Sequence, residues 1–144
     1  MSLLSSTSNT TSNNNNQIIL LLDDEKDILN LYKEYLENWG YQTISFDNPI
    51  DALNYIDNNI SNCSIIITDY KKPQMSGIDF IKQIREKYSN SSNNFQIKIM
   101  LTTAFINSDL DFHNALDYLK IDKIIEKPIR LELFKEEVQK LINQ

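Results

Sequence analysis

Carboxylate, hydroxyl and amine side chains stand where the apolar runs of this sequence stop. Ile18 to Leu22 stops at Asp23 and Asp24, Ile65 to Thr68 at Asp69, and Ile97 to Thr102 at Thr103; Ile124 to Ile125 is followed by Glu126 and then Lys127-Pro128. In an open parallel α/β sheet, ligands bind beyond the carboxyl ends of the strands. Three carboxylates, a hydroxyl and an amine are therefore predicted to collect at one edge. Carboxylates about 4 Å apart repel by roughly 1–4 kcal/mol per pair, depending on the local dielectric. Such a cluster needs a counter-charge, which a divalent cation and Lys127 supply. A few hard oxygen ligands with room left for water suit Mg²⁺ better than Ca²⁺, and the sequence holds no EF-hand loop.

A carboxylate beside Mg²⁺ is also the arrangement that covalent phosphoryl transfer requires. Asp69, the lone acid at the end of a central strand, is the natural nucleophile, and the Asp23/Asp24 pair holds the metal. The Thr103 hydroxyl and the Ala104 backbone N–H are then placed to donate hydrogen bonds to phosphoryl oxygens. Each residue alone says little, because a strand-end Asp is more often a helix cap and Lys-Pro is a common dipeptide. The argument rests on their falling in order at four separate strand ends.

The elements that must position these groups follow from periodicity. Besides the runs already named, Tyr41 to Phe46 reads as a strand, so five strands alternate with five helical segments, as in βα units on a parallel sheet. Ile28, Tyr32, Tyr35, Leu36 and Trp39 trace the first helix, which Gly40 ends. Asn48-Pro49 is a cap followed by a first-turn proline, opening a second helix that runs to about Asp57. Ile78, Ile81 and Ile84 or Arg85 trace the third, Leu110 to Leu119 the fourth, and Leu131, Phe134, Val138, Leu141 and Ile142 the fifth. Ser89 to Asn94 reads as a loop. Residues 1–16 form a Ser/Thr/Asn tract too polar to fold, expected to be a disordered leader to a single domain over 17–144.

The 144 residues carry a net charge of −6, with 41% hydrophobic and 24% charged side chains. This is a soluble globular balance, and the acidity disfavours a nucleic-acid surface, which needs Lys and Arg against phosphates. No apolar run is long enough to span a bilayer, and the N-terminus lacks a basic signal region. The expectation is a cytoplasmic protein bound neither to membrane nor to nucleic acid. The single cysteine, Cys63, excludes an internal disulfide and is expected to be a small buried hydrophobe. His113, the one histidine, is expected to be an exposed helical residue.

The segments Ile19 to Glu25, Ile65 to Gly77, Met100 to Ala104 and Glu126 to Pro128 together resemble the receiver domains of two-component response regulators, over nearly everything from Gln17 to Leu141. The Asp69, Pro73, Met75, Gly77 spacing is similar to that family's phosphoacceptor loop. The resemblance implies a flavodoxin-like (βα)₅ fold with strand order 2-1-3-4-5, like that of the single-domain chemotaxis-type regulators. It implies that Asp24, Asp69 and the Lys71 carbonyl bind Mg²⁺, with Asp23 acting through water, that Thr103 and Lys127 contact the phosphoryl group, and that the Lys127-Pro128 peptide is cis. It further implies a phosphoryl donor, either a histidine kinase or a histidine phosphotransfer protein, and a dimer surface on the fourth and fifth helices. By the same resemblance, Lys71 and Phe105 hold the positions that tune phosphoryl lifetime in that family. Two departures stand out. Ile124 occupies the switch position where the family carries Tyr or Phe, and Leu119 to Asp122 replaces a Gly-Ala turn.

The expected function is a phosphoacceptor switch that changes protein–protein interactions. It catalyses only its own phosphorylation and dephosphorylation, and no output domain is expected in the chain. The rival readings are a non-phosphorylated scaffold or dimerisation module, a Mg²⁺-dependent aspartyl-nucleophile phosphatase, and a flavin-binding module. The phosphatase would carry its nucleophile in an Asp-x-Asp motif after the first strand, where this chain has Asp23-Asp24-Glu25. The flavin module would need a phosphate loop in that place, which the acidic pair opposes.

Overall fold

The computed structural model describes residues 17–71, 75–88, 97–104 and 110–143. The expected leader over 1–16 and the loop from Ser89 to Asn94 lie outside the described residues. Alternation along the first strand organises the rest: Leu20 and Leu22 enter one hydrophobic layer, Ile19 and Leu21 the other. Both faces of the sheet are therefore covered, which explains why the central strands read as unbroken apolar runs.

The strands are β1 (Ile18–Leu22), β2 (Gln42–Phe46), β3 (Cys63–Asp69), β4 (Lys98–Thr103) and β5 (Lys123–Glu126). They alternate with α1 (Lys26–Asn38), α2 (Pro49–Asn59), α3 (Gly77–Tyr88), α4 (Leu110–Tyr118) and α5 (Leu131–Ile142). All pairings are parallel, in the order β2-β1-β3-β4-β5 that the resemblance implies. One layer packs residues of α2 and α3, including Ala52, Ile56, Phe80 and Ile81, on the sheet; the other packs Leu29 and Leu36 of α1 with Phe134 and Val138 of α5.

Local signals account for the helix ends. Gly40 takes φ +97° just past α1, and its N–H bonds to the Glu37 carbonyl at 3.0 Å while that of Tyr41 bonds to Leu36 at 3.0 Å, so the free carbonyls of the last turn are satisfied. The Asn48 side chain accepts from the N–H groups of Ile50 (2.7 Å) and Asp51 (3.3 Å), capping α2 ahead of Pro49. A short 3₁₀ turn at Ile60–Asn62, which periodicity does not reveal, leads into β3.

The Leu119 to Asp122 segment closes without glycine. Lys120 takes φ +55°, and Arg85 of α3 reaches across to hold the turn. Its guanidinium donates to the carbonyls of Leu119 (2.8 Å), Ile97 (2.8 Å) and Lys120 (2.9 Å). Asp122 accepts from the Ile99 N–H at 2.7 Å. Burial lowers the Arg85 pKa and the Asp122 charge opposes that shift. Arg85→Met keeps an apolar stem and leaves three carbonyls without their donor. We expect a loss of about 3 kcal/mol, read as a Tm lowered by roughly 10 °C. An unchanged Tm would mean that water replaces the guanidinium at no cost.

Candidate functional site

The ladder register carries the acids to one edge. Leu22 stands opposite both Phe46 and Thr68, Asp69 opposite Thr102, and Thr103 opposite Glu126. Asp23, Asp69, Thr103 and Lys127 therefore leave neighbouring strands at the same level. Backbone bonds stitch that level together. The Asp23 N–H donates to the Phe46 carbonyl at 3.2 Å, that of Tyr70 to Thr102 at 2.7 Å, and that of Lys127 to Thr103 at 2.6 Å.

The carboxylates of Asp23, Asp24 and Asp69 offer ligand atoms that all lie within 4.8 Å of one another. Asp23 and Asp69 are buried while Asp24 is exposed, so the cluster has a closed floor and an open rim. Lys127 reaches into it, its Nζ lying 2.9 Å from Asp23 Oδ2 and 3.3 Å from Asp69 Oδ1. Asp23 Oδ1 accepts the Glu25 N–H at 3.0 Å, which fixes the carboxylate from the opposite side. Burial lowers the Lys127 pKa, but the hydrogen bond to Asp23 and the charges of Asp23 and Asp69 outweigh it and hold the ammonium above its ordinary value. Lys127 is thus a fixed positive charge between two buried carboxylates. Three hard oxygen donors with one open side match the needs of a small divalent cation.

Of the other residues singled out in the sequence, Thr103 is buried at the end of β4, and Ala104 is exposed immediately after it. Lys71 is exposed just past β3. Ile124 is half-buried in β5 and packs on the layer that contains Phe80 and Leu101. Phe105 and Pro73 lie outside the described residues. The Lys127-Pro128 peptide is cis, as the resemblance implies. Cys63 is fully buried and His113 exposed, both as expected.

The roles of two residues already named in the sequence emerge only in three dimensions. Gly77 opens α3 directly against the strand that carries Asp69, its N–H donating to the Tyr70 carbonyl at 2.7 Å. A Cβ at this position would collide with the Asp69 carbonyl oxygen. The Asp69, Pro73, Met75, Gly77 spacing marks Gly77 as part of a loop, without showing this close approach. Tyr32 of α1 is buried beneath the cluster, where burial raises its pKa, Lys127 pulls it down, and Asp23, Asp69 and Glu25 push it up. Its place on the apolar face of α1 hid it among core residues.

Comparison with known proteins agrees with this fold. The family model described as the response regulator receiver domain matches residues 19–139. A protein named as a two-component response regulator in Arabidopsis thaliana is 36% identical over 67 residues, a match covering 44% of this chain and 12% of that relative's length. The signal receiver domain of a protein described as a Luxo repressor from Vibrio parahaemolyticus superposes with a TM-score of 0.72 at 26% identity, covering 88% of this chain and 90% of that one. A receiver domain protein from Clostridium thermocellum gives a TM-score of 0.74 at 24% identity, covering 88% and 94%.

Proposed function

The chain belongs to the response regulator receiver domain family, and we propose that it acts as a phosphoacceptor switch in a two-component phosphorelay, with Asp69 taking the phosphoryl group. One observation carries this reading: Lys127 bridges Asp23 and Asp69 inside a cluster of three carboxylates. Asp24, Asp69 and the Lys71 carbonyl would hold Mg²⁺, with Asp23 acting through water. The ion, when bound, offsets negative charge on the transferring phosphoryl oxygens. An Asp69 carboxylate oxygen forms the bond to phosphorus as the P–N bond to a partner's phosphohistidine breaks, and the electron pair leaves with the imidazole. Lys127, already charged and fixed, neutralises one phosphoryl oxygen. Thr103 and the Ala104 N–H donate to the others.

The donor is a histidine kinase or histidine phosphotransfer protein, and the chain acts catalytically on no other substrate. The readout is altered protein binding, through Thr103 and the face around Ile124, with Lys71 and Phe105 setting the phosphoryl lifetime. A cytoplasmic setting belongs to the same reading; no helix among the described residues is long and apolar enough to cross a membrane. Incubation with acetyl phosphate and Mg²⁺, followed by intact-mass measurement, tests the proposal. Gain of one phosphoryl group that EDTA prevents is the expected result. No gain in either condition would leave a scaffold that works without phosphorylation.

Lys127 occupies the cluster that the cation would share, so the two positive charges compete. Lys127→Gln is expected to raise Mg²⁺ affinity on the order of tenfold, since charges at this range interact by about 1–4 kcal/mol. Calorimetric titration with Mg²⁺ measures this. Weaker binding in the variant would show that Lys127 organises the carboxylates more than it repels the ion.

A further inference from the structure

A small cavity lies on the α1 side of the sheet, behind the acidic cluster. Asp23, Tyr32 and Thr102 supply its polar wall, and Leu21, Leu22, Leu29 and Ile67 complete it. These polar residues are deeply buried, at 3%, 7% and 1% exposure. No hydrogen bond joins the Tyr32 or the Thr102 hydroxyl to another described residue, and no fully sealed side-chain polar atom among the described residues lacks a partner. Both hydroxyls therefore open onto this space. A buried hydroxyl without a partner costs on the order of 1–3 kcal/mol. One water with three polar neighbours removes that cost twice over, and the cavity is of water size.

We propose that a water bound between the Tyr32 hydroxyl, the Thr102 hydroxyl and the Asp23 carboxylate makes Tyr32 a positioning residue for the phosphoryl-accepting site. The water itself is independent of the phosphoacceptor reading, whereas its effect on rate rests on that reading. Tyr32 is aimed correctly because helical side chains lean toward the helix N-terminus, and α1 starts just after Asp23, Asp24 and Glu25. Its ring is held by Phe134 at a centroid distance of 5.1 Å, and Phe134 in turn by Trp39 at 5.8 Å. Asp23 already accepts from Glu25 and Lys127, and a carboxylate accommodates about four bonds. The water adds a third, from beneath, that stops the carboxylate from turning. Lys127, bonded to Asp23 Oδ2, keeps its place beside Asp69 as a result.

Tyr32→Phe removes the hydroxyl and keeps the ring; Thr102→Val removes the other hydroxyl at similar size. A high-resolution crystal structure of the metal-free parent is expected to show one water within hydrogen-bond reach of all three groups, absent in Tyr32→Phe. Each variant should take up phosphoryl from acetyl phosphate about tenfold more slowly, with a Tm lowered by roughly 3–10 °C because the remaining hydroxyl loses its water. The double variant should be no slower than either single one, because both act through the same water. A dry cavity, a parent-like rate in Tyr32→Phe, or multiplying effects in the double variant would each overturn the proposal. Should the parent itself take up no phosphoryl group, the phosphoacceptor reading fails, and the water density together with the Mg²⁺ affinities of the variants still decides this inference.

Discussion

Asp69→Asn is expected to abolish phosphoryl uptake completely while leaving the protein at least as stable as before. The amide has the shape of the carboxylate but no anionic oxygen to attack phosphorus, and no neighbour substitutes for it. Asp23 has both oxygens engaged, by Glu25 and Lys127, and Asp24 is exposed at the rim. The stability follows from charge. Asp69 shares its site with two other carboxylates and one ammonium, so its neutralisation removes two repulsions and one attraction, each of about 1–4 kcal/mol near 4 Å. Intact mass after acetyl phosphate treatment and a thermal melt are the two readings needed. Phosphoryl gain in the variant would place the acceptor elsewhere, and a sharply lowered Tm would show that the Lys127 attraction dominates the cluster.

The second large effect is expected at Gly77, which carries no charge of its own. In Gly77→Ala the new Cβ would overlap the Asp69 carbonyl oxygen and press on the Asp69 carbonyl carbon and Tyr70 Cα, each 3.1 Å away. All three are backbone atoms, so no flexible side chain can absorb the contact. Either α3 or the end of β3 must move, at about 1–3 kcal/mol. Displacing β3 shifts Asp69, the proposed acceptor, and misplacing a reacting group by about 1 Å can cost 10²-fold in rate. We expect a lowered Tm together with phosphoryl uptake slowed on the order of 10²-fold. Parent-like uptake at a lowered Tm would mean that α3 alone gives way.

The sequence was legible wherever one element dictates its own form. Continuous Ile, Leu and Met placed β1, β3 and β4, and Asn48-Pro49 and Gly40 marked helix ends that the structure reproduces. The strand bounds were less so. β3 begins at Cys63 and Ser64, two residues before the apolar run, because Cys63 is buried and the Ser64 hydroxyl donates to the Ile18 carbonyl at 3.4 Å. Neither residue looks like a strand former on its own. β5 likewise takes in Lys123 and Glu126, one at each end of a two-residue apolar pair. Within the site, the acids and Lys127 could be read because each ends a strand. Spacing named Gly77, Tyr32 and Arg85 but not what they do, because each acts through contacts between elements distant in sequence. Arg85 is the clearest case: its spacing put it or Ile84 on the buried face, and the structure buries Ile84 while Arg85 binds carbonyls at that face's edge.

Cys63 gives the molecule a clock. The thiol is fully buried at the start of β3, and burial pushes its pKa up to about 12, so in the folded protein it offers almost no thiolate to an alkylating reagent. It reacts only when the sheet opens, at a rate that counts opening events. With one cysteine in the chain, each opened molecule gains a single tag whose mass differs from that of a phosphoryl group. A time course of one mass spectrum can then sort molecules into four classes, tagged or untagged and with or without the phosphoryl group proposed to sit on Asp69. Whether phosphoryl uptake slows tagging would measure how tightly a group on the proposed acceptor, at one end of β3, locks the other end.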